Sequence, residues 1–396
     1  MARTERTEPA ATTPEQTTHA LHRYLALGIG AGAGLLFLLR GPASEQAARD
    51  ATAVAARAEP TRAELDAAIA RLAAWVESTS RAPRTPLETN QRLLALGRGA
   101  LEGDAAAIAA SLERLMAPRA SVAAPVPAAL SADPSPPGAA RSSAVRDASA
   151  AATLAILLEA GTPLERELPL SKGPVRVAEL LDRALPEALS RPGDTDPWAL
   201  DLLSFALLAG KPEPRDALAS RVHASLLLLE RALRAPALPP AVEGGRAWLE
   251  ALELGPSVFR AIAVLAEDDL RERGLRCASA LVQRMGVERG RWRERLGQAR
   301  SEPERLLVHL EALEALGQFE QTLFGAHLAF RRGEGAEPAA RTASSMRRAA
   351  GDLLDHLATL ERTKVFADGA TGEPRLERSR AAARALRGLR AARIAL

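Results

Sequence analysis

The sequence predicts an all-α protein, and three features carry that prediction. Apolar residues make up 47% of the 396-residue chain but are drawn mainly from Ala and Leu, with 3% aromatic residues and a single tyrosine, Tyr24. Unbranched side chains lose little rotamer freedom in a helix, whereas strands favour the β-branched and aromatic residues that are scarce here. Apolar residues recur at spacings of three and four between regularly placed proline, glycine and Ser/Thr/Asp start signals. The expected architecture is an irregular α/α array, either a toroid or an open solenoid, preceded by a helical hairpin and an N-terminal membrane helix. A tetratricopeptide pattern is excluded, because Trp75, Trp198, Trp248 and Trp292 follow no fixed interval.

Residues 1–18 are polar and rich in Thr, Glu and Pro, the composition of a disordered tail. Residues 19–40 read as a membrane anchor. Within them Gly28, Gly30 and Ala33 match the dinucleotide-binding fingerprint formally, and Asp50 stands 20 residues beyond Gly30. No strand precedes the glycines and no second βα unit follows, so the match is a coincidence. The run Leu25–Leu39 carries no charge and is bounded by Arg23 and Arg40. As a helix, Leu21–Leu39 spans roughly 28 Å against a hydrocarbon core of about 30 Å, provided that Arg23 snorkels. Gly28/Gly32 and Gly30/Gly34 are small-xxx-small pairs that would pack a second membrane helix and support self-association. The competing readings are a cleaved signal peptide, which Arg40 and Pro42 oppose at the cleavage position, and a soluble segment. Arginines tie on the two sides of the span, so a short tail inside and a periplasmic main domain is taken from the usual single-pass arrangement in a bacterial inner membrane.

Residues 44–116 are read as a helical hairpin. Thr61 and Glu64 form a capping box, and Leu65, Ile69, Leu72 and Val76 follow as a narrow apolar seam. Thr85, Pro86 and Glu88 repeat the start signal, and Gly103-Asp104 interrupts the second arm. Residues 117–144 hold Pro118, Pro125, Pro127, Pro134, Pro136 and Pro137 among Ala and Ser, a linker composition. The main helical domain is 145–371. Its first helix, Ser149–Glu159, ends before Gly161, and Ser171-Lys172-Gly173 lies between two short alternating runs that suit a small β-hairpin near 167–177. Helices are then expected over 177–189, 197–208, 214–233, 240–254, 257–273, 275–285, 288–300, 302–316, 319–330 and 338–360, with Gly210, Gly255 and Gly286 among the stops. Residues 372–396 form a basic C-terminal helix.

The formal net charge of +3 is carried by the C-terminus, where residues 375–396 hold seven arginines against Glu377. The remainder is net negative, which argues against nucleic acid as a partner. On a helix, Arg380, Arg384, Arg387 and Arg390 share one arc, read as a basic surface for anionic lipid. Cys277 is the only cysteine and its apolar helical setting suits a buried side chain. No zinc, calcium or phosphate-loop motif and no serine elbow occurs, so neither a metal nor a cofactor is expected. The one cluster suited to acid–base work is HLEALEALGQFEQTLFGAH, where His309, Glu314, Glu320 and His327 are the cavity candidates. Glu320 and His327 are seven apart, two turns along one helix face; the alternative is that these residues form an amphipathic helix's polar side.

The segment TLAILLEAGTPLERELPLSKGPVRVAELLDRAL, followed by DPWALDLLSFALLAG, resembles a group of uncharacterised N-terminally anchored envelope proteins of high-GC bacteria with an α/α-toroid-like domain. The resemblance covers about a third of the chain and implies the hairpin-then-helix order and a toroid, with no activity, cofactor or catalytic residue. The expected role is a membrane-anchored scaffold or protein-interaction module, held to the lipid bilayer by its N-terminal helix and meeting a protein partner through its helical domain. The alternative is an enzyme or small-ligand binder that uses a polar cavity in the toroid.

Overall fold

Side-chain caps start the first helices as their sequences dictate. Thr61 and Glu64 exchange hydrogen bonds with each other's backbone amides (3.2 and 2.7 Å), and Thr85 and Glu88 do the same before the next helix. Ser149 accepts from the Ala152 amide at 3.0 Å and Asp196 from that of Trp198 at 3.0 Å, with Pro197 at the first helical position. A computed structural model describes residues 59–79, 85–97, 100, 103–116, 149–190, 195–234, 244–330, 336–366 and 373–395. The tail 1–18, the anchor 19–40 with Gly28, Gly30, Gly32 and Gly34, and the linker 117–144 lie outside the described residues.

Among the described residues the protein is all-α with one small hairpin. The helices are α1 (Arg62–Thr79), α2 (Pro86–Leu96), α3 (Ala105–Met116), α4 (Ala150–Glu159), α5 (Val177–Leu189), α6 (Pro197–Leu208), α7 (Arg215–Arg234), α8 (Gly244–Leu265), α9 (Asp268–Gln298), α10 (Glu302–Phe330), α11 (Ala336–Arg362) and α12 (Glu373–Ala395). Strands β1 (Glu167–Leu170) and β2 (Gly173–Arg176) pair antiparallel, Leu168 opposite Val175, where the sequence places a hairpin. Gly173 closes its turn at φ 118°, a conformation open to glycine. Glu113 accepts from the Ser171 amide at 2.7 Å and ties the turn to α3.

The even-numbered helices pack in succession, α2 on α4, α4 on α6, α6 on α8, α8 on α10 and α10 on α12, and α12 packs back on α2. Each odd-numbered helix packs on the even-numbered one that follows it. The buried apolar residues form a single core. Residues 59–396 make one compact unit. Helices α1 to α3, expected as a separate hairpin, belong to that unit, because Asn90 of α2, Ser111 of α3 and Thr153 of α4 share a buried hydrogen-bond chain of 2.7 Å links. The C-terminal helix is likewise built in. Ala381, Ala382, Ala385, Leu386 and Leu389 of α12 are buried against its neighbours.

Two glycine stops read from the sequence, Gly255 and Gly286, are not stops, and the break expected between 316 and 319 is absent. Gly255, Gly286 and Gly317 lie inside α8, α9 and α10. In α8 the following residue, Pro256, has no amide to give the Leu252 carbonyl one turn back. Gln318 Nε2 and Thr322 Oγ1 of α10 donate to that carbonyl instead, each at 3.1 Å. Gly255 makes room for them, since a Cβ there would stand 2.8 Å from Thr322 Oγ1. Gly317 of α10 meets Gly388 of α12 in the same way. A Cβ on Gly388 would come within 2.8 Å of Gly317 Cα, and one on Gly317 within 2.7 Å of the Ala385 nitrogen. Backbone lies on backbone at this crossing, so neither side can yield by a rotamer change.

Gly317→Ala is therefore expected to lower stability by about 3 kcal/mol, near the upper end of overpacking costs and beyond the ~1 kcal/mol that alanine gains in helix propensity. Gly286→Ala, at an exposed position with open space around it, is expected to raise stability by up to ~1 kcal/mol. Denaturant melts of both variants check the pair.

Candidate functional site

The arc of arginines on α12 faces inward. Arg380, Arg384 and Arg387 line a cavity of about 70 Å³, and Arg387 and Arg390 line an adjoining one of about 780 Å³. All six even-numbered helices contribute to each lining. The two share Leu94, Glu159, Pro256, Gln321 and Arg387. The expected lipid-facing basic surface is thus corrected: this side of α12 lies over a crevice because its other sides are packed on α10, α11, α1 and α2.

Carboxylates from four helices meet the arginines. Arg260 of α8 pairs with Asp201 of α6 and, at 3.2 Å, with Glu159 at the end of α4. Arg387 reaches the same Glu159 at 2.9 Å. Arg384 pairs with Glu253 of α8 and Glu314 of α10. Arg260 also lies over the Phe205 ring, 5.3 Å from its centroid, which holds the guanidinium plane. Arg390 donates to the Ala95 carbonyl at 2.5 Å, and neither it nor Arg380 makes an ion pair with a described residue.

The two acids flanking Arg260 are pushed apart. Burial raises the Asp201 carboxyl to about 6, with Arg260 opposing and the Glu159 charge adding to the rise. Burial acts on Glu159 too, but there Arg387 and Arg260 together outweigh it and hold the carboxyl below the ordinary range. The pair therefore takes up a proton near pH 6. Burial and the neighbouring Arg387 charge both depress Arg390. Two polar atoms of lining residues, Trp198 Nε1 and Gln321 Oε1, are buried without a hydrogen-bond partner.

The sequence candidates do not converge. Glu314 belongs to the crevice through Arg384. His309 turns to α11, where its Nδ1 lies 2.8 Å from Nδ1 of His356. Burial and the His309 ring bring His356 down to about 4, and burial and Arg362 lower His309. Such a pair shares one hydrogen, with one ring donating and the other accepting. Glu320 is fully buried where α10 crosses α12, its Cβ near Gly388, and it lines neither cavity. It makes no hydrogen bond to His327. Burial drives its carboxyl well above the carboxylate range, Asp352 adds to this, and Arg289 and the Ala350 amide only partly offset it. Cys277 is buried, and burial with the Glu230 charge takes its thiol to about 12. Among the described residues no group of three or more His, Cys, Asp and Glu is placed to hold a metal ion.

Glu159, Asp201 and Arg260 were not singled out by motif. Their signal is nonetheless present: each is a lone charge in an otherwise apolar helix, as in TLAILLE, PWALDLLSFALL and PSVFRAIAVL. A charge on the buried side of such a helix needs a partner or a cavity. Comparison of the chain with protein-family models, with curated proteins and with solved structures gives no match in any of the three.

A carboxyl with a raised folded-state pKa stabilises the protein at acid pH and loses that contribution as pH rises through the folded value. Replacing Glu320 by glutamine removes the titration while keeping the shape. Thermal melts are expected to show Glu320→Gln above the parent at pH 8, with the gap closing as pH falls toward 4.5, the ordinary value for this group. In a carboxyl-carbon NMR titration, Asp201 is expected to inflect near pH 6.

Proposed function

We propose that the chain is a ligand-binding helical module of the bacterial envelope, attached to the membrane through residues 19–40, and that the crevice beside α12 is its binding site. The observation that carries this reading is a cavity of about 780 Å³, within the range of small-molecule sites, lined by all six even-numbered helices and holding charged side chains on a mostly apolar wall. A filled centre would have favoured a purely scaffolding role. The helical array is taken as an α/α toroid, not an open solenoid; the return of α12 to α2 supports this. The resemblance to anchored envelope proteins supports the same arrangement. Pairing of the anchor through Gly28, Gly30, Gly32 and Gly34 is part of the proposal.

Binding is preferred to catalysis because each carboxylate of the crevice is held by an arginine. Glu159 and Asp201 have the divergent proton affinities of an acid–base pair, but Arg260 stands between them and engages both. Among the described residues no helix is long and apolar enough to cross a membrane, so attachment rests on the segment that precedes them.

Cells producing the full chain would be fractionated and the protein analysed by native mass spectrometry. The expected result is membrane-associated chain carrying one small-molecule adduct, released by organic extraction. Full-length chain in the soluble fraction would overturn the anchor, and a ligand-free mass under every mild condition would overturn the binding reading.

A further inference from the structure

The charge of the crevice narrows what it can hold. Five arginines line it, Arg260, Arg380, Arg384, Arg387 and Arg390. Three carboxylates line it, Glu159, Asp201 and Glu253, and Glu314 reaches Arg384 from beside it. Five cations against four anions leave one positive charge. Arg384 holds two carboxylates and Arg260 holds two, whereas Arg387 shares Glu159 and Arg390 has only the Ala95 carbonyl. Arg380 also lacks an ion pair with a described residue, but it lines only the smaller cavity. Arg387 and Arg390 stand one turn apart on α12 and both face the larger cavity.

From these arginines the cavity opens along apolar walls. Phe205, Phe259 and Phe324 lie along it, and Leu208, Leu328 and Ile394 line it while remaining 64%, 39% and 66% exposed. Large aliphatic side chains left in water around a concave opening mark a site for an apolar ligand, not chance surface leucines. The larger cavity therefore joins one cation without an ion pair, Arg390, to an apolar trough. A phosphate dianion would overshoot that charge, and a polyanion would find no continuous basic track. A neutral lipid would leave Arg390 unpaired. A carboxylate matches the charge and the planar fork of a guanidinium.

We propose that this crevice binds a single-chain amphiphile with a carboxylate head, a long-chain fatty acid, with the head against Arg390 and Arg387 and the chain lying toward Leu208, Leu328 and Ile394. The inference rests on the crevice being the binding site, and it adds the ligand class and the orientation. The apolar segment Leu25–Leu39 is a poorer occupant, because Arg23 and Arg40 at its ends would add cations to a site that already has one to spare.

The test uses the full chain in isolated membranes and a palmitate analogue carrying a photoreactive diazirine on its chain. The expected result is crosslinking to peptides of α6, α10 and α12 that excess oleate prevents and excess methyl oleate does not. Arg390→Ala is expected to weaken labelling at least about tenfold, the loss of one charge-assisted contact, and Arg390→Lys to restore part of it. Leu328→Glu, a change at an exposed wall position, places a fixed carboxylate in the opening and is expected to block labelling with the melting temperature unchanged. Labelling that is insensitive to both variants, equally competed by methyl oleate, or confined to residues 19–40 would overturn the proposal. If native mass spectrometry then finds a bound molecule of another class, the crevice remains a binding site and only the ligand assignment fails.

Discussion

The structure depends on the crossing of α10 and α12 at Gly317 and Gly388. Two glycines bring the helix backbones into direct contact, closer than any pair carrying Cβ atoms could come. This contact fixes the rotation of α12 about its own axis. With Gly388 turned to α10, Ala381, Ala385, Leu389 and Ala392 pack on the surrounding helices, and the arc Arg380, Arg384, Arg387, Arg390 is what remains to face the centre. On its other side α10 is held to α8 by a second close approach, at Gly255. There the carbonyl orphaned by Pro256 is capped by Gln318 and Thr322. The helix that carries Gln321 into the crevice is thus held on one side by backbone contact and on the other by its own side chains bonded to the Leu252 carbonyl, and the positions of the charges follow from helix geometry.

Stability alone does not account for the charges so positioned. Asp201, Glu159 and Arg260 are withdrawn from water, and the desolvation of such groups offsets most of their mutual attraction. Apolar side chains of similar volume would fill the same space at no greater cost, as the wholly apolar faces elsewhere in α4 and α6 do. Glu320 makes the contrast plain. It is as deeply buried as Asp201 but has no cation in direct contact, and responds by holding its proton. The crevice acids keep arginine partners, and Glu159 and Glu253 also keep partial exposure.

The helical class, the small hairpin and most helix starts were legible because they rest on local chemistry. Thr85 with Glu88, Asp196 with Pro197, and Ser171-Lys172-Gly173 act within a few residues, and the chain there behaves as its sequence dictates. The failures share one physical origin. Gly255, Gly286 and Gly317 are glycines in helical runs, and sequence cannot tell a glycine that ends a helix from one that admits a neighbouring backbone. The arginine arc was correctly located on its helix and wrongly faced, because which side of an amphipathic helix meets water depends on what covers the other side. For α12 the covering elements, α1, α2, α10 and α11, are drawn from both ends of the chain. His356 was not among the cavity candidates for a related reason: its partner His309 is 47 residues away, and no local spacing rule joins them.

The direction of the crevice follows from the same packing. Residues lining the larger cavity come from the C-terminal halves of α2, α4, α6, α8, α10 and α12, so six helix ends with partial negative charge gather at one side. Left alone, that arrangement would draw a cation. Arginines at 260, 387 and 390 stand in its path, and Arg390 is bonded to one of the terminal carbonyls itself, that of Ala95. These side chains carry full charges at fixed positions, whereas the helix ends carry fractions that decay within a turn. The local sign is therefore positive. Protonation of Asp201 near pH 6 removes one of the neighbouring carboxylates and makes it more so.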